Sequence, residues 1–127
     1  MLSVAHNRIG DVGLTELLEV RHAPNLKILT LGLADNEIGD SGAAALATLN
    51  SNPILCELTL NLESNNIGDN GAIFLGALRY ATGLTAIELQ ISNNDISVDG
   101  GDTLKMLLNK LEQNTGWGIS ARGLSDG

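Results

Sequence analysis

Aromatic side chains are nearly absent from this sequence of 127 residues, which contains one Phe, one Tyr and one Trp. Most globular domains use such rings as large core fillers. Yet 43% of the residues are hydrophobic, and Leu, Ile and Ala dominate among them. We therefore expect one domain with an aliphatic core, layered from a small unit that is repeated.

Cysteine is equally scarce, because Cys56 is the single one, and this excludes an intrachain disulfide. The first residues, Met-Leu-Ser-Val-Ala-His, lack the long apolar segment of a signal peptide. No apolar run is long enough to cross a bilayer. These absences predict an intracellular, cytoplasmic protein.

Basic residues are also few, with seven Lys and Arg against fifteen Asp and Glu, for a formal net charge of −8. Nucleic acids and anionic membranes attract basic patches. We therefore expect neither of them as a partner, and a protein partner with a basic surface is favoured instead.

One pattern recurs four times in the sequence at a spacing of 29 residues. It begins with an asparagine, at Asn7, Asn36, Asn65 and Asn94. An isoleucine follows, at Ile9, Ile38, Ile67 and Ile96, and then Gly-Asp, at residues 10–11, 39–40 and 68–69. A second glycine closes the turn, at Gly13, Gly42, Gly71 and Gly100. Because several positions recur together at the same 29-residue spacing, the sequence predicts a stack of repeated units.

Before each asparagine, apolar and polar residues alternate, which is typical of a strand with one buried face. The apolar positions are Leu29, Leu31 and Leu33, then Leu58, Leu60 and Leu62, then Ile87, Leu89 and Ile91. After each glycine the spacing becomes helical, with Leu17, Leu46, Leu75 and Leu104 followed by Val20, Leu49, Leu78 and Leu107. The predicted N-caps of the helices are Asp11, Asp40 and Asp69, with Ser97 or Asp99 in the fourth copy. Proline cannot continue a helix, so we expect the first two helices to end before Pro24 and Pro53.

The repeated asparagines are predicted to be structural. Where a strand ends, buried backbone N–H and C=O groups lose their strand partners, and an Asn side chain supplies both an acceptor and donors. We expect Asn7, Asn36, Asn65 and Asn94 to form such a ladder. Replacing Asn36 by Ala is then expected to cost about 1–3 kcal/mol.

The string Leu-x-x-Leu-x-Leu, then Asn-x-Ile-Gly-Asp-x-Gly and a helix, resembles the ribonuclease-inhibitor-like class of leucine-rich repeats. Residues 26–42 and 55–71 carry it most clearly, and it extends from Leu2 to about Leu111. An added Leu-x step, at Leu33, Leu62 and Ile91, indicates a longer-stranded 29-residue variant.

That resemblance implies an α/β leucine-rich-repeat solenoid of about four strand–turn–helix units. Its parallel sheet would form the concave face and its helices the convex face. Such proteins typically act as binding platforms, among them nuclease inhibitors, innate-immunity sensors, actin-end binders and activators of a small nuclear GTPase. Recognition would use the concave face or the rims.

We expect a single domain over 1–127, with repeats at about 1–25, 26–54, 55–83 and 84–112 and an irregular C-terminal cap or tail at 113–127. A fifth repeat would place Gly118 at a strand leucine and Gly123 at the asparagine, so the pattern ends there. Trp117 and Ile119 are candidates to cover the last helix. The chain opens without a capping unit, which predicts part of a longer array or an assembly, with neighbours at the N-terminal repeat edge.

Residues that alternate with the strand leucines are the candidate partner-binding residues, namely Thr30, Glu57, Thr59, Asn61, Glu63, Glu88, Gln90 and Ser92. They form a small, polar, mildly acidic face. A partner that presents Lys or Arg would complement it. An ordinary solvated sheet face without a partner is the alternative.

No catalytic, cofactor or metal site is expected. The glycine run Gly39–Gly42 lacks the Gly-Lys-Ser/Thr of a phosphate loop, and the run from Asn93 to Asp99 lacks the calcium-loop spacing. His6 and His22 have no nucleophile signature beside them. The prediction is a non-enzymatic protein-interaction module, and the alternative is a structural subunit held by its repeat edge in a large complex.

Overall fold

The computed structural model describes residues 2–3, 8–22, 25–115 and 118–122. Its strands are β1 (Leu2–Ser3), β2 (Ile28–Gly32), β3 (Glu57–Asn61), β4 (Ala86–Gln90) and β5 (Gly118–Arg122). Its helices are α1 (Gly10–Leu17), α2 (Asp40–Ala47), α3 (Asp69–Gly76) and α4 (Val98–Thr115). Short 3-10 turns at Leu18–His22, Thr48–Ser51 and Ala77–Tyr80 follow the first three helices.

The strands form one parallel sheet in the order β1-β2-β3-β4-β5. Residues that lie 29 apart in the sequence are paired on neighbouring strands, so Leu29 lies beside Leu58, and Leu58 beside Ile87. Backbone bonding continues past the strand ends, because the Leu33 amide donates to the Asn61 carbonyl at 2.8 Å. The predicted α/β solenoid, with a parallel sheet on one side and helices on the other, is confirmed.

The inward-facing strand residues form the core with residues of the helices. The strand positions predicted to be apolar from Leu29 to Ile91 are all buried, as are Leu46, Leu49, Leu75, Leu78 and Leu104. Because a single unit cannot enclose these side chains, stacking against its neighbours is what removes them from water.

The first unit departs from the predicted helix stripe. Leu17 is only half-buried, and Leu14 and Leu18 are the fully buried residues. The positions equivalent to these two hold Ala43 and Ala47 in α2, where neighbouring helices pack closely. In the first repeat the larger side chains of Leu14 and Leu18 fill that space instead. The predicted partners Val20 and Leu107 lie outside the described side chains.

The sheet continues where the sequence pattern was expected to end. β5 pairs in parallel with β4, and Gly118 lies beside Ala86, an offset of 32 residues (118 minus 86) instead of 29. The extra length comes from α4, which has 18 residues and runs to Thr115. Ile119, proposed above as a cap, occupies a sheet position beside Ile87. Trp117 lies outside the described residues.

Candidate partner-binding surface

The predicted partner-binding residues share one side of the sheet, and we call it the strand face. Register places Thr30 beside Thr59, and Thr59 beside Glu88. The full set is Ile28, Thr30, Glu57, Thr59, Asn61, Ala86, Glu88 and Gln90 on the strands, with Glu63 and Ser92 just beyond them. All of these residues are half-buried or exposed, whereas their inward neighbours are buried.

Three carboxylates give the strand face its charge. Glu57 is exposed, and Glu63 and Glu88 are half-buried. Among the described side chains of this face there is no Lys or Arg. Arg122 holds the register position of Gln90 on β5, where side chains lie outside the description.

Part of the strand face is committed to the scaffold. The Asn61 side chain accepts the Glu63 amide at 3.1 Å, so it holds the end of its own strand. Gly32 lies beside Ser3 of β1, and a Cβ atom at position 32 would lie 2.9 Å from the Ser3 hydroxyl oxygen. The accessible polar side chains of the strand face therefore lie mainly on β3 and β4.

Ile28 is a member of the strand face that the sequence prediction missed. Its side chain is 62% exposed at the start of β2. The signal was available, because Ile28 precedes Thr30 by two residues and strand residues alternate between faces. It adds an apolar contact to an otherwise polar surface.

The asparagine side chains connect each repeat to the preceding one. Asn65 Oδ1 accepts the amides of Asn36 at 3.0 Å and Ile38 at 2.9 Å, and its Nδ2 donates to the Leu33 carbonyl at 3.0 Å. Asn94 Oδ1 likewise accepts the Ile67 amide at 2.9 Å. Both side chains also donate to carbonyls at the end of their own strand.

The first hydrogen bond of the asparagine ladder in the described residues joins Asn36 to the first repeat. Asn36 Oδ1 accepts the Ile9 amide at 3.2 Å, and Asn36 is fully buried. Asn7, the remaining predicted member, lies outside the described residues.

The aspartates act in the opposite direction, and their assignment as N-caps of their own helices was wrong. The residues before α2 and α3 are extended glycines without side-chain caps, and Asp40 and Asp69 are the first residues of these helices. Asp11 is the second residue of α1. Asp11 Oδ1 instead accepts the Gly39 amide of the following repeat at 2.8 Å. Asp40 Oδ1 accepts the amides of Gly68 at 2.7 Å and Gly71 at 3.0 Å. Asp40 therefore caps α3 of the following repeat, and Asp11 holds the residue that immediately precedes α2.

A profile of the leucine rich repeat family matches residues 2–18, 24–47 and 58–76. These segments are leucine-rich repeats, and the fold is a leucine-rich-repeat solenoid. Among solved structures, the one titled Leiomodin-1 Actin-Binding Site 2 (ABS2) is similar, with a TM-score of 0.68 and 22% sequence identity. The alignment covers 94% of this chain and 69% of that chain, and at this identity the likeness shows a shared fold. Among curated proteins, none matches the chain.

The fourth leucine-rich repeat modifies the capping arrangement. Ser97 replaces the glycine, and its amide donates to Asp69 Oδ1 at 2.7 Å while its hydroxyl donates to Asp69 Oδ2 at 2.7 Å. The Ser97 hydroxyl also accepts the Gly100 amide at 3.2 Å, so serine caps α4 locally. These bonds, led by the side-chain one, hold the pKa of Asp69 below its ordinary value of 3.8 against a small opposing effect of desolvation.

Metal-binding groups and membrane-spanning helices are both absent from the described ranges. No three His, Cys, Asp or Glu residues in the described ranges are grouped so as to hold a metal ion. In the same part of the chain, every helix is too short or too polar to cross a membrane. The half-buried Cys56 thiol donates to the Ile54 carbonyl at 3.2 Å.

Proposed function

We propose that this chain is a non-catalytic protein-interaction module that binds a protein partner through the strand face. One observation carries the proposal. The polar residues that recur in phase, Asn and Asp, form hydrogen bonds between repeats, whereas most strand-face residues differ from copy to copy and all of them are at least partly accessible. Accessible residues that vary between copies are the ones most suited to recognise a specific partner.

Charge and shape define the partner. Glu57, Glu63 and Glu88 favour a surface that presents Lys or Arg, and Ile28 offers one apolar contact beside them. The described strand face has no Trp, Tyr or Arg anchor of the kind that dominates tight interfaces. The affinity through this face alone is therefore modest.

The solved leiomodin domain suggests a first partner to test. Its title names an actin-binding site, and the two chains share a fold. The longer-stranded, ribonuclease-inhibitor-like subclass of this chain, its repeat boundaries and its cytoplasmic location are parts of the same proposal.

The test is capture of purified actin, and of proteins from cell extract identified by mass spectrometry, on immobilised chain. The charge-reversal variant E57K/E63K/E88K is compared with E19K/E37K/D95K, which makes the same charge change at exposed residues away from the strand face and outside the four helices. We expect the control to retain the partners of the unmodified chain and the strand-face variant to lose them. Equal retention by both variants would contradict the proposal and favour a structural subunit held by its repeat edges.

A further inference from the structure

A second surface lies on the helix side of the solenoid, and we call it the helix groove. It is an open depression of about 460 Å³ between α2 and α3, lined by Asp40, Ser41, Ala44, Asn70, Ile73 and Phe74. Ile73 is 52% exposed and Phe74 is 43% exposed. Recognition sites typically combine such apolar side chains with a few polar groups at the margin.

The repeat provides an internal reference for these two apolar residues. Twenty-nine residues earlier, Ala44 and Ala45 occupy the same positions of α2, which is an equally regular helix of eight residues. The fourth copy holds Asp102 and Thr103 there. The scaffold therefore does not require a large apolar side chain at either position. Ile73 and Phe74 are departures that the fold leaves unexplained.

Acidic residues outnumber basic ones around the helix groove, and Lys105 of α4 is the single Lys or Arg among the described side chains of the four helices. The segments of α1, α2 and α3 contain no Lys or Arg, whereas each begins with or contains an acid. Asp40 lines the groove, and exposed Asp99 and Asp102 of α4 lie at the register positions of Asn70 and Ile73. This excess of acidic residues favours a cationic occupant. It opposes a second copy of this chain, which would bring a net charge of −8 with it.

We propose that the helix groove binds a peptide segment of a partner protein in which a large apolar side chain is flanked by Lys or Arg. The apolar side chain lies against Ile73 and Phe74, and the cations face Asp40 and the acids of the neighbouring helices. This surface is separate from the strand face, so the chain has one recognition surface on each side of its sheet.

Phe74 supplies a site-specific probe, because it is the only phenylalanine in the sequence. Incorporation of fluorophenylalanine gives a single ¹⁹F resonance that reports on the groove. Three short synthetic peptides are titrated against it: one with Leu flanked by Lys, one with Lys replaced by Glu, and one with Leu replaced by Ser. We expect a saturable shift with the first peptide alone, and weaker binding at high salt.

The matched variant is I73A/F74A, which gives α3 the residues that α2 already has at these positions. Its affinity for the fluorescein-labelled Leu–Lys peptide, measured by anisotropy, falls by about tenfold or more. V12A, which shortens an exposed apolar residue of α1 outside the groove lining, retains the affinity of the unmodified chain. Circular dichroism establishes that both variants are folded, and the ¹⁹F titration needs neither of them.

Several results would overturn the proposal: no ¹⁹F shift with any peptide, equal binding of the acidic peptide, or undiminished binding by I73A/F74A. A concentration-dependent dimer that I73A/F74A abolishes would show that a second copy occupies the groove instead. Failure here is distinguishable from failure of the strand-face proposal. At physiological ionic strength, where the Debye length is about 8 Å, E57K/E63K/E88K leaves peptide binding unchanged.

Discussion

Asp40 and Gly71 lie 31 residues apart, and the Asp40 Oδ1 atom accepts a hydrogen bond from the Gly71 amide at 3.0 Å. A Cβ atom at position 71 would lie 2.6 Å from the same oxygen. The aspartate of one repeat thus packs directly against the glycine of the next and joins the two repeats. The pairs Asp11 with Gly42 and Asp69 with Gly100 repeat the close approach.

The first prediction concerns this contact between aspartate and glycine. Gly71→Ala is expected to destabilise the chain by about 1–3 kcal/mol, because the added methyl displaces Asp40 and meets Ile67. Urea unfolding measures the change. Gly13→Ala is the matched control: a Cβ atom there meets only Ile9, at 3.1 Å, and no aspartate. Its effect is small, because alanine's higher helix propensity offsets the tight contact. Equal losses at both positions would contradict the role of Asp40.

The second prediction concerns the asparagine ladder. Asn65→Ala removes the acceptor of two amides in the preceding repeat, and the buried groups left unpaired are expected to cost about 3 kcal/mol. Thermal unfolding measures the loss. Asn66→Ala, at the exposed neighbouring residue, is the control and is expected to change stability by less than about 0.5 kcal/mol. A loss at position 65 no larger than at position 66 would show that the ladder does not stabilise the fold.

The architecture was predictable because apolar spacing records which face of each element is buried. The direction of the side-chain bonds was not. An aspartate such as Asp40 has a neighbouring repeat on either side at the same period, so the spacing does not tell which one it contacts. β5 was not predicted, because it follows β4 by 32 residues and the repeat period of 29 residues places no strand there.

The surfaces were predictable in part. Alternation along the strands correctly placed Thr59 and Glu88 among accessible residues. Ile73 and Phe74 were overlooked because the helix pattern was read for its buried stripe. Their signal is a difference between copies, since Ala44 and Ala45 precede them by one period. In a repeat protein, such departures from the shared pattern are the more informative positions.

A third prediction follows from backbone strain in the turns. Ser64 has a φ of 57°, and Asp35 and Asn93 adopt nearly the same angle at the equivalent positions. L-residues pay roughly 1–2 kcal/mol for this left-handed conformation, and glycine does not. Ser64→Gly is therefore expected to stabilise the chain by about 0.5–1 kcal/mol, the unfolded chain's added freedom reducing the gain. Ser64→Ala loses the same hydroxyl without relieving strain, so it shows no gain. Differential scanning calorimetry compares the two.

The fourth prediction concerns pH. Because the bonds from Ser97 lower the pKa of Asp69 below 3.8, the folded state favours the ionised carboxylate. Its contribution is complete above the unfolded-state pKa and is lost as the pH falls through the lower folded-state value. Asp69→Asn is thus expected to reduce stability near neutral pH, with a difference from the unmodified chain that shrinks in strong acid.

Urea unfolding across a pH series measures that difference. Asp102→Asn, which removes a charge from an exposed position of α4, is the control for charge alone. Ser97→Ala removes the largest cause of the shift, so the pH dependence assigned to Asp69 becomes smaller in that background. A stability difference between Asp69→Asn and the unmodified chain that stays constant from neutral pH to well below 3.8 would refute the coupling of Asp69 ionisation to the fourth repeat.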